Sequence, residues 1–416
     1  MKNRLSLSSL LITACLLLSI PLEAQVSKTV DVATAGTLPT LIAASEKDQI
    51  THLTLTGNLN GTDIRYIREM AGRDVYKDKT AGKVSVLDLS QANIVAGGDY
   101  YYKDNREGII LTDSRISNTS DNVIGRLMFD SCTGLTEIVL PNSITSIEKA
   151  AFEGCTGLTS LIIPDNVTSI GIAAFLGCTG LTSLTIGSNV TSIGLCAFIK
   201  CTGLTSLTIG SNVTSIELYA FSHCIGLTSV LIPNSVTTID DGAFFSCSGL
   251  TSVTIGSGVK SIGCSVFQYC QQLKEIGVSE ENTSFCQVDG VLYSKDKTTL
   301  IECPNARSGN YTILKGVDSI GKDAFSGCDR LISITIPKSV TSIGGYAFSK
   351  SSIKQIHCDA LKPPSFEKSA RLILDIEKND AFYAFKETCT LFVPKGSLSA
   401  YKKADGWKTF KNIIEE

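Results

Sequence analysis

The chain has 416 residues, 43% of them hydrophobic and 19% charged, with a formal net charge of −3. That is too apolar for a disordered tail and too near neutral for a nucleic-acid binder or for long-range steering of a charged partner. Beyond the first two dozen residues no stretch approaches the ~18 uninterrupted apolar positions of a membrane helix, so no transmembrane span is expected in the mature chain.

Residues 1–24 read as a signal peptide. Lys2 and Arg4 give a short basic start, an apolar run follows from Leu5 to Leu22, and Ala24 offers a small residue for cleavage. A competing reading takes Ile12-Thr13-Ala14-Cys15 as a lipoprotein box with Cys15 lipidated. Against it stand Leu16-Leu17-Leu18, apolar where a mature lipoprotein turns polar. Either way the chain is exported. Residues 25–123 have the texture of an irregular α/β leader. Ile50–Leu55 and Val84–Leu89 alternate like strands, Thr62-Asp63 can cap a helix that runs to Ala71 and stops at Gly72, and Tyr100-Tyr101-Tyr102 falls in a polar loop.

From residue 124 the chain repeats itself. Cysteines fall at 132, 155, 178, 201, 224, 247 and 270, a spacing of 23 held over seven occurrences; phenylalanines keep the same beat from Phe129 to Phe267, and leucines from Leu135 to Leu273. Such a period marks a solenoid. In one unit, Leu161 and Ile163 face one side of a short strand, Pro164 ends it, Val167 and Ile170 make a second apolar edge, and Ala174-Phe175 fills the remaining space. A rung of this size has no closed core, so each is covered by its neighbours. At about 4.8 Å per rung, roughly ten rungs make a rod or arc about 50 Å long. The beat skips between Cys270 and Cys328, where Gln287–Tyr293 and Thr298–Cys303 suggest a hairpin inserted near 279–304. The array runs over 124–356, and residues 357–416, with Pro363-Pro364 and the lone Trp407, read as a C-terminal cap.

The iterated Leu-x-x-Leu-x-Ile-Pro/Gly-x-x-Val-x-x-Ile-Gly-x-x-Ala-Phe-x-x-Cys resembles the BspA-like leucine-rich repeat proteins, surface proteins of oral and gut bacteria and some protists. Val288–Tyr293, Ile301–Pro304 and the ending Leu391–Ser397 match as well, and the resemblance covers about residues 125–415. It implies a leucine-rich repeat solenoid, β-rich, with short strands and short helical turns in each rung. It further implies a secreted, non-enzymatic binding scaffold, often an adhesin for host matrix proteins or other bacteria, and transfers no particular ligand.

The residues agree with that expectation. No Gly-x-Ser-x-Gly elbow, phosphate loop, His-Glu-x-x-His or dinucleotide fingerprint occurs, so neither an enzyme nor a cofactor is expected. His52, His223 and His357 lie far apart and no Cys-x-x-Cys occurs, so no metal site is expected either. The ladder cysteines read as free, buried thiols. Cys286 and Cys303 are the pair that facing hairpin strands could bridge.

Two surfaces are candidates for a partner. The outward strand positions Ser160, Ser183, Ser206, Ser229 and Ser252, with Thr185, Thr208 and Thr254, make a polar face suited to an extended peptide or a glycan. The second candidate is an apolar stripe at the turns: Ile172, Leu195 and Leu218 in one row, Leu176, Ile199 and Phe245 in the next. Other rungs carry Lys149, Asp241, Glu153 and Gln268 at these positions, so the fold does not require apolar groups there. The reading is an exported, surface-displayed adhesin for a protein partner such as host matrix. The alternative is an envelope-associated scaffold that binds glycan or another bacterial component.

Overall fold

The structure is a computed structural model that describes residues 25–104, 116–367 and 387–416. Residues 1–24, read above as a signal peptide, and Cys15 among them lie outside the described residues. The chain winds into a parallel β-solenoid of about 16 turns, more than the roughly ten rungs the beat alone suggests. The excess has a simple origin. Leader strands Ser27–Val32, His52–Leu59 and Val86–Ile94 pair in parallel with one another and then with Glu137–Val139, the first main strand of the array. At the other end, Gln355–Cys358, Thr390–Val393 and Asn412–Glu415 continue the sheet beyond Leu331–Ile336. These segments have lost the motif but kept the rung geometry.

Each regular rung contributes two strands. The main strand, as in Ser183–Thr185, turns Leu184 inward and Ser183 and Thr185 outward, and pairs in register with Ser160–Ile162 and Ser206–Thr208. The second strand is only two residues long, yet it pairs without a gap from Val123–Ile124 to Ser261–Ile262. Between the second strand and the cysteine the chain makes tight turns rather than a helix. Each turn uses two left-handed residues, for example Cys196 (φ 57°) and Lys200 (φ 61°). Non-glycine residues adopt this conformation at a cost, and bonds to the next rung hold them in it: Cys196 N–H donates to the Leu218 carbonyl and Lys200 N–H to that of Ser222.

Identical inward positions stack into columns. Phe129, Phe152, Phe175, Phe198, Phe221, Phe244 and Phe267 form a file of near-parallel rings, 5.0–5.9 Å between neighbouring centroids. The ladder cysteines are fully buried, and from Cys155 to Cys270 each Sγ–H points at the phenylalanine carbonyl of the previous rung, Cys155 to Phe129 and so on to Cys270 and Phe244. Threonines make two further ladders at the surface. Thr182 donates to the Thr159 carbonyl at 2.9 Å, and Thr214 to that of Thr191 at 3.0 Å.

The main sheet has one split inside the regular array. Ser206–Thr208 and Ser229–Ile232 do not pair, although the second strands beside them, Ser215–Ile216 and Thr238–Ile239, do. Leu207 is only half-buried there, whereas Leu161, Leu184, Val230 and Val253 are buried.

The leader seals the first rung through the helix Gly61–Met70, capped by Asn60 rather than by Thr62 or Asp63. Asp63 completes the capping box and also accepts from Gly36 and Leu38 N–H. The buried Arg68 donates to the Leu127 and Met128 carbonyls. Tyr100–Tyr102 do not lie in a polar loop: they belong to the strand Gly97–Lys103, with Tyr101 and Tyr102 buried and the Tyr101 hydroxyl donating to Arg126 O at 2.9 Å. The polar neighbours in sequence hid a strand whose aromatic rings cover the leader core. At the far end Trp407 and Tyr401 close the solenoid's core, donating to Pro364 O and Ala360 O.

The insertion also departs from expectation. Asp289 (φ 52°) and Gly290 (φ 74°) make a hairpin turn with two left-handed residues, so Gln287–Tyr293 is not one strand. It divides into Phe285–Val288 and Val291–Ser294, and with Thr299–Glu302 these form a three-stranded meander. Cys286 pairs with Tyr293 on the central strand, and Cys303 follows the third, so a strand stands between the two thiols and both are free.

Candidate binding surfaces

The turn face is built by the left-handed residues and their neighbours. Ala150 N–H donates to Ile172 O, Ala173 N–H to Leu195 O and Cys196 N–H to Leu218 O, which sets the three apolar residues in one row along the solenoid. The adjoining row is fixed the same way: Gly154 N–H donates to Leu176 O, Gly177 N–H to Ile199 O and His223 N–H to Phe245 O. None of the six is buried. Ile172 is 45% exposed and Leu218 36%, and the other four are half-buried. The core closes beneath them with Ala174, Ala197, Phe175 and Phe198, all at 0% exposure. The stripe is therefore a surface laid over a finished core.

The structure extends this surface with residues that motif reading missed. Tyr219 and Tyr269 flank Phe245, each ring perpendicular to it, at 6.1 and 5.1 Å, and His223 lies against the same ring at 5.7 Å. Lys350 Nζ stands 4.9 Å over the Tyr269 ring. The signal was present in the sequence. Tyr219 replaces the alanine of Ala150 and Ala173, and His223 and Tyr269 replace the glycine of Gly154 and Gly177, positions with a left-handed backbone.

The strand face is less uniformly polar than its serines and threonines suggest. Ser160, Ser206 and Ser229 are exposed as expected, with Thr185, Thr208 and Thr254. The same outward row carries Val139, Ile162 and Leu231, exposed by 40%, 71% and 66%. The result is a mixed face with isolated aliphatic groups among hydroxyls.

The cysteine column offers no nucleophile. Burial pushes the Cys247 thiol up to about 12 and raises those of Cys155, Cys224 and Cys270 well above the ordinary value. His223 and Cys224, adjacent in sequence, do not act together: His223 Nδ1 bonds Ser222 Oγ at 2.8 Å, and Cys224 Sγ–H donates to Phe198 O.

The rung geometry, period and column chemistry match a known repeat. The family model described as BspA type Leucine rich repeat region matches in six copies, over residues 107–217, 193–288 and 301–372, more than half of the chain. The chain belongs to the BspA type leucine-rich repeat family.

Three solved structures are similar. A leucine rich cell surface protein from Faecalibacterium prausnitzii A2-165 is 27% identical over 66% of this chain and 83% of that one, with a TM-score of 0.41. A leucine-rich repeat protein from Eubacterium ventriosum ATCC 27560 is 26% identical over 57% and 66%, with a TM-score of 0.44. One from Bacteroides ovatus ATCC 8483 is 22% identical over 71% and 81%, with a TM-score of 0.36. No curated protein matches the chain. In this BspA type array, no helix among the described residues is long and apolar enough to cross a membrane. No group of three or more His, Cys, Asp and Glu among them could hold a metal ion.

Proposed function

We propose that the protein is an exported, surface-displayed adhesin that captures a host matrix or cell-surface protein on its turn face, without chemistry. The observation that carries this reading is the two rows of exposed or half-buried Ile172, Leu195 and Leu218, and Leu176, Ile199 and Phe245, above a core already closed by alanine and phenylalanine. An exposed apolar surface of this kind marks an interaction site. Tyr219 and Tyr269 add the large, rigid, amphipathic side chains in which binding hot spots are rich. The solenoid supplies rigidity, so little ordering entropy is lost on contact.

The test is a binding screen of the purified protein against host matrix proteins and host cells at low and high salt. Saturable, salt-insensitive binding is expected, since the stripe is apolar. The double variant Leu195→Asp/Ile199→Asp should lower affinity at least 100-fold with an unchanged circular dichroism spectrum. A folded double variant that binds as well as the parent would remove the stripe from the function. An unfolded one would show that these residues belong to the core.

A further inference from the structure

A groove of about 620 Å3 opens at the corner of the solenoid where the main strands end. It is bounded by Asn142, residues 162–166, residues 185–188 and residues 208–211, and so crosses four rungs. In every rung the second strand lies between this corner and the apolar turn face, so the two surfaces are separate.

Two glycines line its floor. The position held by Pro141, Pro164 and Pro233 is glycine at 187 and 210. A Cβ on Gly187 would stand 2.5 Å from the Pro164 carbonyl oxygen, and one on Gly210 2.1 Å from that of Gly187. At these two glycines the backbones of adjacent rungs come too close for a side chain, and the groove runs on beside Ile162.

Its walls carry two kinds of chemistry. Ile162, 71% exposed, and Pro164 form an apolar pad. Opposite stand side-chain oxygens held in place by bonds to neighbouring rungs. Asp165 accepts from Ser188 N–H at 2.6 Å, and this bond holds its carboxyl below the usual carboxylate range. Asn166 Nδ2 donates to Asn142 O at 2.7 Å, and Asn142 Nδ2 to Ser90 O at 3.3 Å, which fixes both amides and leaves both Oδ1 atoms to accept. Thr185 and Thr208 add outward hydroxyls.

We propose that this groove binds a neutral oligosaccharide. Sugar hydroxyls donate to the Asp165, Asn166 and Asn142 oxygens while the C–H face of a ring packs on Ile162 and Pro164. The size falls in the range of small-ligand sites. An extended peptide fits less well, because strand addition needs a free backbone edge, and the unpaired edge of Ser206–Thr208 borders only the groove's last rung. Here Ile163 N–H is bonded to Thr185 O and Ile186 N–H to Thr208 O. A polyanion is disfavoured, since the one charged residue lining the groove is Asp165.

The test is an array of neutral plant, mucin-type and microbial oligosaccharides probed with the purified protein, each hit being titrated by calorimetry. At least one neutral oligosaccharide should bind, with little dependence on salt. Thr208→Trp, which fills the trough from an exposed position, and Asn166→Ala should each weaken it at least tenfold, and melting temperatures show whether either variant has unfolded. Should Thr208→Trp unfold, Asn166→Ala decides. Leu195→Asp/Ile199→Asp should leave glycan binding unchanged, so failure here and failure of the protein-binding reading are distinguishable. The proposal is overturned if no neutral oligosaccharide binds, if only polyanions bind, or if binding survives in the folded groove variants.

Discussion

The two strand columns of the array respond differently at the same rung boundary. The second strands, two residues each, stay paired from Val123–Ile124 to Ser261–Ile262. The longer main strands part between Ser206–Thr208 and Ser229–Ile232. Across that boundary the turn side is undisturbed: Phe198 and Phe221 stack at 5.2 Å with a 4° tilt, and Cys224 still donates to Phe198 O. Continuity of the solenoid is thus carried by the phenylalanine and cysteine columns with the short strands beside them. The main strands, whose outward residues vary, follow where they can.

The sharpest way to break this view is to remove one ring from the file. Phe198→Ala should destabilise the fold by about 3–5 kcal/mol, the usual cost of emptying a buried phenylalanine site. Phe175→Ala, at an unsplit boundary, should cost about the same. Urea unfolding of both variants gives the comparison. If Phe198→Ala costs much less than Phe175→Ala, the columns do not hold the split boundary together, and the main strands matter more than their pairing indicates.

Both strand columns break at the insertion, and polar contacts replace them. Ser265 donates to Asp323 Oδ2 at 2.7 Å across 58 residues of sequence, and Glu302 is buried nearby. Burial, with Cys328 and Asp323 adding to it, raises the Glu302 carboxyl well above its ordinary value of 4.5. A proton held more tightly by the folded than by the unfolded chain stabilises fully below that ordinary value. The contribution is lost as pH rises through the folded value. Glu302→Gln should therefore stabilise the protein at pH 8, with the gain vanishing below pH 4.5. Thermal melts across pH measure it. An equal gain at both ends would show that charge at Glu302 is not what limits the seam.

Much of this was legible in the sequence because repetition makes a core visible. Phe129 to Phe267 and the cysteines announce their columns by spacing alone, and all prove buried. The apolar stripe was legible for the converse reason, as departures from the repeat at Ile172, Leu195 and Leu218. What stayed hidden has no column to stand in. The leader strands pair with the array through backbone bonds that any residues can make, so their extra turns carry no beat. The Asp289-Gly290 turn is a two-residue signal inside a run of strand formers. The groove runs over Gly187 and Gly210, and a search for chemistry-bearing residues passes over glycine.

The threonine ladder offers the finest test, because the protein contains its own control. Thr182 donates to Thr159 O at 2.9 Å and Thr251 to Thr228 O at 2.8 Å. Thr228 stands at the same repeat position but faces the split, and its hydroxyl makes no bond to Thr205 O. Thr→Val keeps the shape and β-branching and removes only the donor. Thr182→Val should then cost about 1 kcal/mol, the net worth of an ordinary hydrogen bond, whereas Thr228→Val should be close to neutral. Urea midpoints of the two variants read the difference directly. Equal losses at both positions would mean that the main strands close in solution, and that the columns do not hold the array together alone.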